Sequence, residues 1–443
     1  MTDLIFSFDT EDYVNPKGAD GILRASKMIR EAGFMPCHNV VAWLAEALVK
    51  WGRQDVIDEL KKCEITTHSL KHSYHPTINE YTDIEDFDEA MRLFRKEEDE
   101  ALKITQSIIG NERFTAACPP GDSVSYVAQY GYADMGFEIY DGGLTRDEVR
   151  GRPVSFCNIQ NLMYKYAIDP FVYFTKEQVD EVIENLAKAD VSIIYHHPQK
   201  NTVTTFCDLQ NFHKGKNNDG EWILSDLVPE ENVKRFEENL AYFLEKVKND
   251  RRFNPMTYSQ IADKYRSYRV IKPQDIPEIK KWIDEEFFPL TRPDSLCISD
   301  ILLACRDFLL GKSEHVCEKV YGFLDVPYAI PHPVKVTATE MKESAVQIPD
   351  GKFLPTEITV GSKKLGPADW LRAALIILSG KNEATVVPDK WQIDLNEFPQ
   401  LRDLCFTGSW VHADDFPDKY VSDRSRLQSW TIRLPKGTER KIY

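Results

Sequence analysis

The 443-residue sequence contains no apolar run of about 18 residues, so it predicts no transmembrane helix. Basic residues are fewer than acidic ones: the sequence has 55 lysines and arginines and 71 aspartates and glutamates, for a net charge of −16. This balance argues against nucleic acid or an anionic membrane surface as the main partner. The cysteines are scattered and odd in number. The nine cysteines form no Cys-x-x-Cys pair, which favours reduced structural thiols over a disulfide framework.

The N-terminus lacks a basic segment followed by an apolar stretch and a cleavage site. We therefore expect a cytoplasmic chain, or a secreted one if a signal peptide has been removed. Apolar residues make up 42% of the sequence and aromatic residues 11%, which is enough to bury several cores. The length is typical of two to four domains. The oligomeric state has no sequence signal.

Strand-like and helical segments alternate about seven times through the first part of the chain, to about residue 268. This rhythm predicts an α/β fold, a distorted (β/α) barrel of about seven strands. One of these strands is predicted over 161–168, and the polar stretch 200–221 is predicted to be a long surface loop. Chemistry in such barrels gathers at the carboxyl ends of the strands. Polar residues occupy predicted strand ends in five segments: 9–12, His68, 119–121, Asp141 and His196.

Beyond the predicted barrel, 1–268, prolines become frequent and an internal repeat appears. Segment 296–311 matches segment 365–380 with an offset of 69 residues. Each copy reads as a helix opened by Ser or Pro and closed by Gly. The sequence thus predicts a smaller C-terminal region with a duplicated helical module, divided into repeats 269–345 and 346–443. Small repeats attached to a catalytic barrel are typical of binding or spacing modules.

The sharpest chemical spacing is that of His68 and His72. Histidines four residues apart lie on one face of a helix or tight turn, so both imidazoles can reach one cation. Two imidazoles and a carboxylate suit one divalent metal, zinc in preference to other divalent ions, and leave positions open for water and substrate. The acidic stretch 9–12 is the candidate source of the carboxylate. His75 is the weaker third imidazole.

The segments FSFDTED (6–12) and EITTHSLKH (64–72) resemble the first two motifs of the NodB-homology polysaccharide deacetylases, carbohydrate esterase family 4. The segment MTYSQI (256–261) resembles the end of those barrels, so the resemblance spans roughly 1–268. It implies a metal-dependent hydrolase of C–N amide bonds that deacetylates an N-acetylated sugar or polysaccharide.

The resemblance also implies roles for individual residues. Asp9 would be the general base. Glu11 or Asp12, with Glu11 preferred, would bind the metal together with His68 and His72.

The later motifs of the family supply the remaining positions. His196 would be the general acid, with His197 as the alternative. Cys118 stands where the third motif usually has Arg, and a thiol cannot replace a guanidinium group. The third motif and a candidate fourth motif place substrate-binding residues at Pro119, Pro120, Gly121, Tyr140 and Asp141, with His197 as a further contact.

Two other functions are compatible with these residues. One is a non-catalytic carbohydrate-binding protein built on the same barrel. The other is an amidohydrolase of a small non-sugar amide. In each case the expected partner is a carbohydrate or another amide-bearing molecule.

Overall fold

The computed structural model describes residues 1–111, 113–142, 151–218, 220–266, 269–285, 287, 296–388 and 412–433. Strands and helices alternate through its first part, as the sequence predicts. The strands are β1 (Thr2–Thr10), β2 (Pro36–Val40), β3 (Glu64–Thr67), β4 (Ala116–Ala117), β5 (Ile139–Asp141), β6 (Val154–Phe156), β7 (Ile159–Leu162), β8 (Lys165–Ala167), β9 (Val191–His196) and β10 (Phe253–Pro255). The helices are α1 (Gly18–Glu31), α2 (Ala42–Lys50), α3 (Gln54–Leu60), α4 (Ile78–Thr82), α5 (Phe87–Ile109), α6 (Tyr126–Asp134), α7 (Lys176–Leu186), α8 (Cys207–Asn211), α9 (Glu230–Asn249) and α10 (Tyr258–Tyr265).

These strands form one sheet in the order β6-β7-β5-β4-β3-β2-β1-β9-β8, and β10 pairs with the start of β1. The β6–β7 hairpin is antiparallel, and the other pairings are parallel. The α/β class is therefore confirmed. The strand count exceeds the predicted seven because β6 has no counterpart in the predicted rhythm, and because the strand predicted at 161–168 is two strands, β7 and β8.

The connection from β7 to β8 requires the sheet to curl. In a flat sheet the two strands would be separated by seven strand spacings, about 34 Å. Only Met163 and Tyr164 link them, and two linking residues span at most about 11 Å. In addition, Lys165 Nζ of β8 lies 2.9 Å from Asp141 Oδ1 of β5. The sheet thus bends until its two edges approach each other, as a distorted barrel requires.

Side chains alternate between the two faces of this curled sheet. Along β1, Leu4, Phe6 and Phe8 pack outward in a core shared with α1, α7 and α9. Ile5 points inward and packs against α10, which occupies the interior at the amino ends of the strands. Asp9 follows the same inward parity. This alternation decides which residues at the strand ends can reach a common site.

The C-terminal region has one hydrophobic core, which runs from Ile271 to Trp430. Its strands are β11 (Arg269–Ile271), β12 (His315–Cys317), β13 (Val334–Thr337), β14 (Ile358–Val360), β15 (Lys363–Leu365) and β16 (Glu383–Val386). Its helices are α11 (Ile276–Glu285), α12 (Ile298–Leu309), α13 (Ala338–Ser344), α14 (Pro367–Leu378) and α15 (Val421–Leu427). The predicted boundary at 345/346 lies within this shared core, and 389–411 and 434–443 of the second predicted repeat lie outside the described residues. Among the described helices, none is both long enough and apolar enough to cross a bilayer.

Candidate metal centre and active site

The two histidines of the HxxxH motif lie on a tight turn directly after β3. Ser69 and His72 both have positive φ, at 71° and 53°. The Ser69 hydroxyl accepts a hydrogen bond from the His72 amide at 3.0 Å, which holds the turn closed. The ring centroids of His68 and His72 are 4.7 Å apart. The i, i+4 spacing thus brings the two imidazoles together through a turn rather than a helix.

Glu11 meets both imidazoles. Its Oε2 atom lies 3.2 Å from His68 Nε2 and 3.1 Å from His72 Nε2, and all three side chains are buried. The other ring nitrogens are also engaged: His68 Nδ1 lies 2.7 Å from the Cys118 carbonyl oxygen, and His72 Nδ1 lies 3.2 Å from Asp208 Oδ1. Oxygen partners on Nδ1 orient both rings with Nε2 toward Glu11, which is the arrangement seen around metal-binding histidines.

The electrostatics of this group favour a positive charge. Burial lowers the pKa of His72, but the carboxylates of Glu11 and Asp208 outweigh it and raise the pKa to about 10. Burial raises the pKa of Glu11, yet His72 and His197 hold it well below its ordinary value. A cation is therefore stabilised where the three side chains converge. Glu11, His68 and His72 fit a divalent ion with two nitrogen ligands and one oxygen ligand.

Asp12 does not face the histidines. Its carboxylate accepts hydrogen bonds from the amides of Val14 and Asn15 at 3.0 and 2.8 Å, and from the Asn15 side chain at 2.8 Å. Burial raises its pKa to about 6 despite these bonds. Asp12 thus stabilises the turn before α1. His75 is also directed elsewhere, because its ring nitrogens contact Glu80 and a backbone carbonyl.

Asp9 lies beside the three candidate ligands. Asn39 donates a hydrogen bond to its Oδ1 at 2.8 Å, and the Cys118 thiol lies 3.6 Å from the same oxygen. Burial raises the pKa of Asp9, but His68, His197 and Lys165 outweigh it, so the pKa lies below its ordinary value. The side chain is therefore a carboxylate near neutral pH. An amide donor and nearby cations stabilise it in place of the expected guanidinium group.

The two consecutive histidines at the end of β9 point in opposite directions. His196 faces outward and is fully buried, with its ring stacked on Phe236 at 4.8 Å and its Nδ1 2.5 Å from Asp169 Oδ1. His197 faces inward, with Nε2 3.7 Å from Asp9 Oδ2 and Nδ1 2.7 Å from Asp169 Oδ2. The role assigned to His196 from the sequence requires access to the cavity. Only His197 of this pair lines it.

The remaining predicted substrate residues occupy different environments. Gly121 lines the cavity, and Pro119 and Pro120 are buried in the turn before it. Tyr140 faces outward, and its hydroxyl donates to the Ser123 carbonyl oxygen at 3.0 Å. Asp141 is buried inside the barrel, where Ser7, Tyr258 and Lys165 contact its carboxylate. Tyr140 and Asp141 are thus not among the residues that line the cavity.

The cavity has a volume of about 520 Å³ and includes residues that the sequence did not indicate. Asp169 contacts both His196 and His197, and Asp208 contacts His72. Asp208 belongs to α8, inside the stretch predicted to be a surface loop. Apolar residues in this stretch could have predicted the helix. Cys207 and Phe212 are buried, and Phe206 and Leu209 line the cavity. The remaining lining residues are Asp9, Glu11, His68, His72, Gly121, Tyr195 and His197.

No model of a known protein family matches the sequence, and no curated protein matches it. Solved structures similar to the chain include a putative polysaccharide deacetylase from Mycobacterium smegmatis, with 12% identity, coverage of 59% of this chain and 89% of that chain, and a TM-score of 0.41. They also include a probable polysaccharide deacetylase from Pseudomonas aeruginosa (13% identity, 60% and 90% coverage, TM-score 0.38). A 4-alpha-glucanotransferase from Thermococcus litoralis is similar at 13% identity, with 60% of this chain and 40% of that chain covered and a TM-score of 0.40.

Proposed function

We propose that the barrel is a metal-dependent hydrolase of C–N amide bonds that deacetylates an N-acetylated sugar or polysaccharide. The observation that carries this proposal is the convergence of Glu11, His68 and His72 beside Asp9 and His197 at one cavity. These are the side chains that amide hydrolysis needs: ligands for one ion, a base and an acid. The resemblance of the two sequence motifs to the family 4 esterases supports the choice of substrate.

In this proposal Glu11, His68 and His72 hold a divalent ion, zinc in preference to others. When bound, such an ion supplies Lewis acidity for the amide carbonyl and for a water molecule. Asp9 is ionised, so it accepts the proton of the attacking water as general base. Asn39 fixes one oxygen of Asp9 and leaves the other facing His197.

His197 is the proposed general acid. Burial lowers its pKa, but the carboxylates of Asp169, Glu11 and Asp9 raise it to about 10, so the ring is protonated near neutral pH. Asp169 holds Nδ1, which leaves the Nε2–H to protonate the departing nitrogen. The 3.7 Å between His197 Nε2 and Asp9 Oδ2 is longer than a hydrogen bond, so base and acid act as separate groups.

The shape of the cavity is consistent with a sugar-sized substrate. Its volume of about 520 Å³ lies within the range of small-molecule sites. Tyr195 and Phe206 present aromatic rings on its wall, and such rings pack well against the apolar face of a sugar. Leu209 extends the apolar wall.

We also propose that the C-terminal region contains the duplicated helical module. The two 12-residue helices α12 and α14 have bounds offset by 69 residues at both ends, which supports this duplication. Each carries an aspartate at its third position, Asp300 or Asp369, which accepts a hydrogen bond from the backbone at the start of its helix.

The test uses the full chain, stripped of metal with a chelator and reloaded with zinc. Acetate release is measured from chitin oligomers, from other N-acetylated sugars and from a panel of small amides. We expect Asp9→Asn to bind metal normally and to lose about 100-fold or more in kcat, because it cannot accept the proton. We expect His72→Ala to lose metal together with activity. The control is His213→Ala, which removes an exposed histidine.

Three outcomes would contradict the proposal. Unchanged turnover in Asp9→Asn would show that Asp9 is not the general base. Activity on small amides without activity on acetylated sugars would identify a non-sugar amidohydrolase. Glycan binding without turnover in the metal-loaded protein would identify a carbohydrate-binding protein.

A further inference from the structure

A second group of metal-ligand side chains lies in the C-terminal region. Asp300 is in the first turn of α12, and His315 and Cys317 occupy alternate positions of β12, so the latter two share one face of the strand. A carboxylate oxygen, a ring nitrogen and a sulfur from these residues lie within 4.8 Å of one another, and all three side chains are buried. Ligand atoms around a tetrahedral zinc ion are about 3.5 Å apart, so little movement would close such a site.

His315 is oriented as a metal ligand would be. Its Nδ1 lies 2.9 Å from Asp307 Oδ2, and Asp307 is itself paired with Arg306 and Lys312. Its Nε2 is buried and has no hydrogen-bond partner among the described residues. A carboxylate on one nitrogen fixes the neutral tautomer that leaves a lone pair on the other. Since buried polar atoms are rarely left without a partner, this Nε2 points to an absent ligand.

The carboxylate of Asp300 has other partners in the same place. Arg433 Nη2 lies 3.2 Å from Oδ1, and the Cys297 amide and thiol lie 3.1 and 3.0 Å from Oδ2. A carboxylate offers about four acceptor positions, so these contacts do not exhaust it. Arg433 balances the charge of Asp300. The sulfur of Cys297 lies beside Asp300, His315 and Cys317 and offers a fourth ligand for a metal ion.

A metal ion could reach this cluster from solvent. A cleft of about 910 Å³ is lined by Asp307, His315, Cys317 and Arg433 on one side. Ser155 and Asn158 of the β6–β7 hairpin line the other side. The cleft therefore lies between the barrel and the C-terminal region.

We infer that Asp300, His315 and Cys317 form a second divalent-metal site, separate from the proposed catalytic centre. The mixed oxygen, nitrogen and sulfur donors select zinc or a similar borderline ion over magnesium or calcium, which prefer oxygen alone. Metal binding would release the thiol proton of Cys317 to solvent as the thiolate binds the ion, and it would hold α12 against β12. The inference does not depend on the proposed hydrolase activity.

The test counts metal ions in the full-length protein and uses cobalt as a spectroscopic probe. We expect two zinc ions per chain in the native protein. We expect cobalt to give a near-ultraviolet sulfur-to-metal band that Cys317→Ser and His315→Ala abolish. The matched control is Cys305→Ser, which alters a buried thiol of α12 outside the cluster and should keep the band.

The His72→Ala variant separates this site from the catalytic one. It is expected to retain one ion and the sulfur band, whatever happens to activity. A cobalt spectrum without a sulfur band would overturn the inference, as would two ions retained in both Cys317→Ser and His315→Ala. If these variants fail to fold, X-ray absorption at the zinc edge of His72→Ala decides the matter, because the inference requires a sulfur ligand there.

Discussion

Glu98 of α5 carries a carboxyl group that is buried beside the turn holding His68 and His72. Burial raises its pKa to about 8 from an ordinary 4.5, although bonds from the Tyr132 hydroxyl and the Leu70 amide lower it. The folded protein therefore binds a proton that the unfolded chain releases. Because the pKa of Glu98 is higher in the folded state, its contribution to the unfolding free energy is complete below pH 4.5. That contribution is lost as the pH rises to 8.

Replacing Glu98 with glutamine removes this dependence, because the amide stays neutral and can still accept from Tyr132. Each pH unit between the two pKa values corresponds to about 1.4 kcal/mol. Glu98→Gln should thus match the native protein at pH 4.5, exceed its unfolding free energy by about 3 kcal/mol at pH 7, and exceed it by about 5 kcal/mol at pH 9.

The assay is urea unfolding at several pH values, followed by circular dichroism at constant zinc. Glu100→Gln is the control, because Glu100 is exposed on the same helix. It should differ little from the native protein across the pH range. Equal stability of Glu98→Gln and the native protein at pH 9 would refute the reasoning, since it would mean that the buried carboxyl loses its proton without a penalty.

Three further predictions concern the cavity. Lys165→Met removes a cation that lowers the pKa of Asp9, so the acidic limb of the kcat/KM profile should move to higher pH; an unmoved limb would contradict this role. Asp208→Asn should weaken zinc binding by about 10- to 100-fold in equilibrium dialysis, because Asp208 orients the proposed ligand His72; unchanged affinity would count against it. His197→Gln should lower kcat by about 100-fold and remove the alkaline limb, whereas His196→Gln should keep that limb; the reverse pattern would restore His196 as the acid.

The α/β barrel was predictable because alternating strands and helices leave a strong pattern in the sequence. The division of the predicted strand 161–168 was not. Its residues belong to β7, which is next to one edge strand, and to β8 at the opposite edge. Only the curl of the sheet brings these two strands within two residues of each other. Local sequence carries no information about which edge a short strand joins. The short edge strand β6, which pairs antiparallel with β7, was also missed.

The parts of the candidate site that are close together in the sequence were predictable. The parts that come from distant segments of the chain were not. The HxxxH spacing indicates the imidazole pair without knowledge of the fold. Asp169 and Asp208 precede no recognisable motif, and they become part of the site because the chain folds back over the strand ends. The same holds for Asn39, which reaches Asp9 from the adjacent strand. Partners of this kind depend on tertiary contacts rather than on spacing.

The register of β9 against β1 determines which of His196 and His197 faces the cavity. Phe8 pairs with His196, and residues opposite each other in a parallel pair share one face of the sheet. Phe8 belongs to the outer core, and its ring contacts His196 at 5.6 Å, so His196 is directed outward as well. The next residue on each chain, Asp9 or His197, must then face inward, where their side chains approach to 3.7 Å. A shift of β9 by one residue would exchange the two histidines and separate the proposed acid from the base.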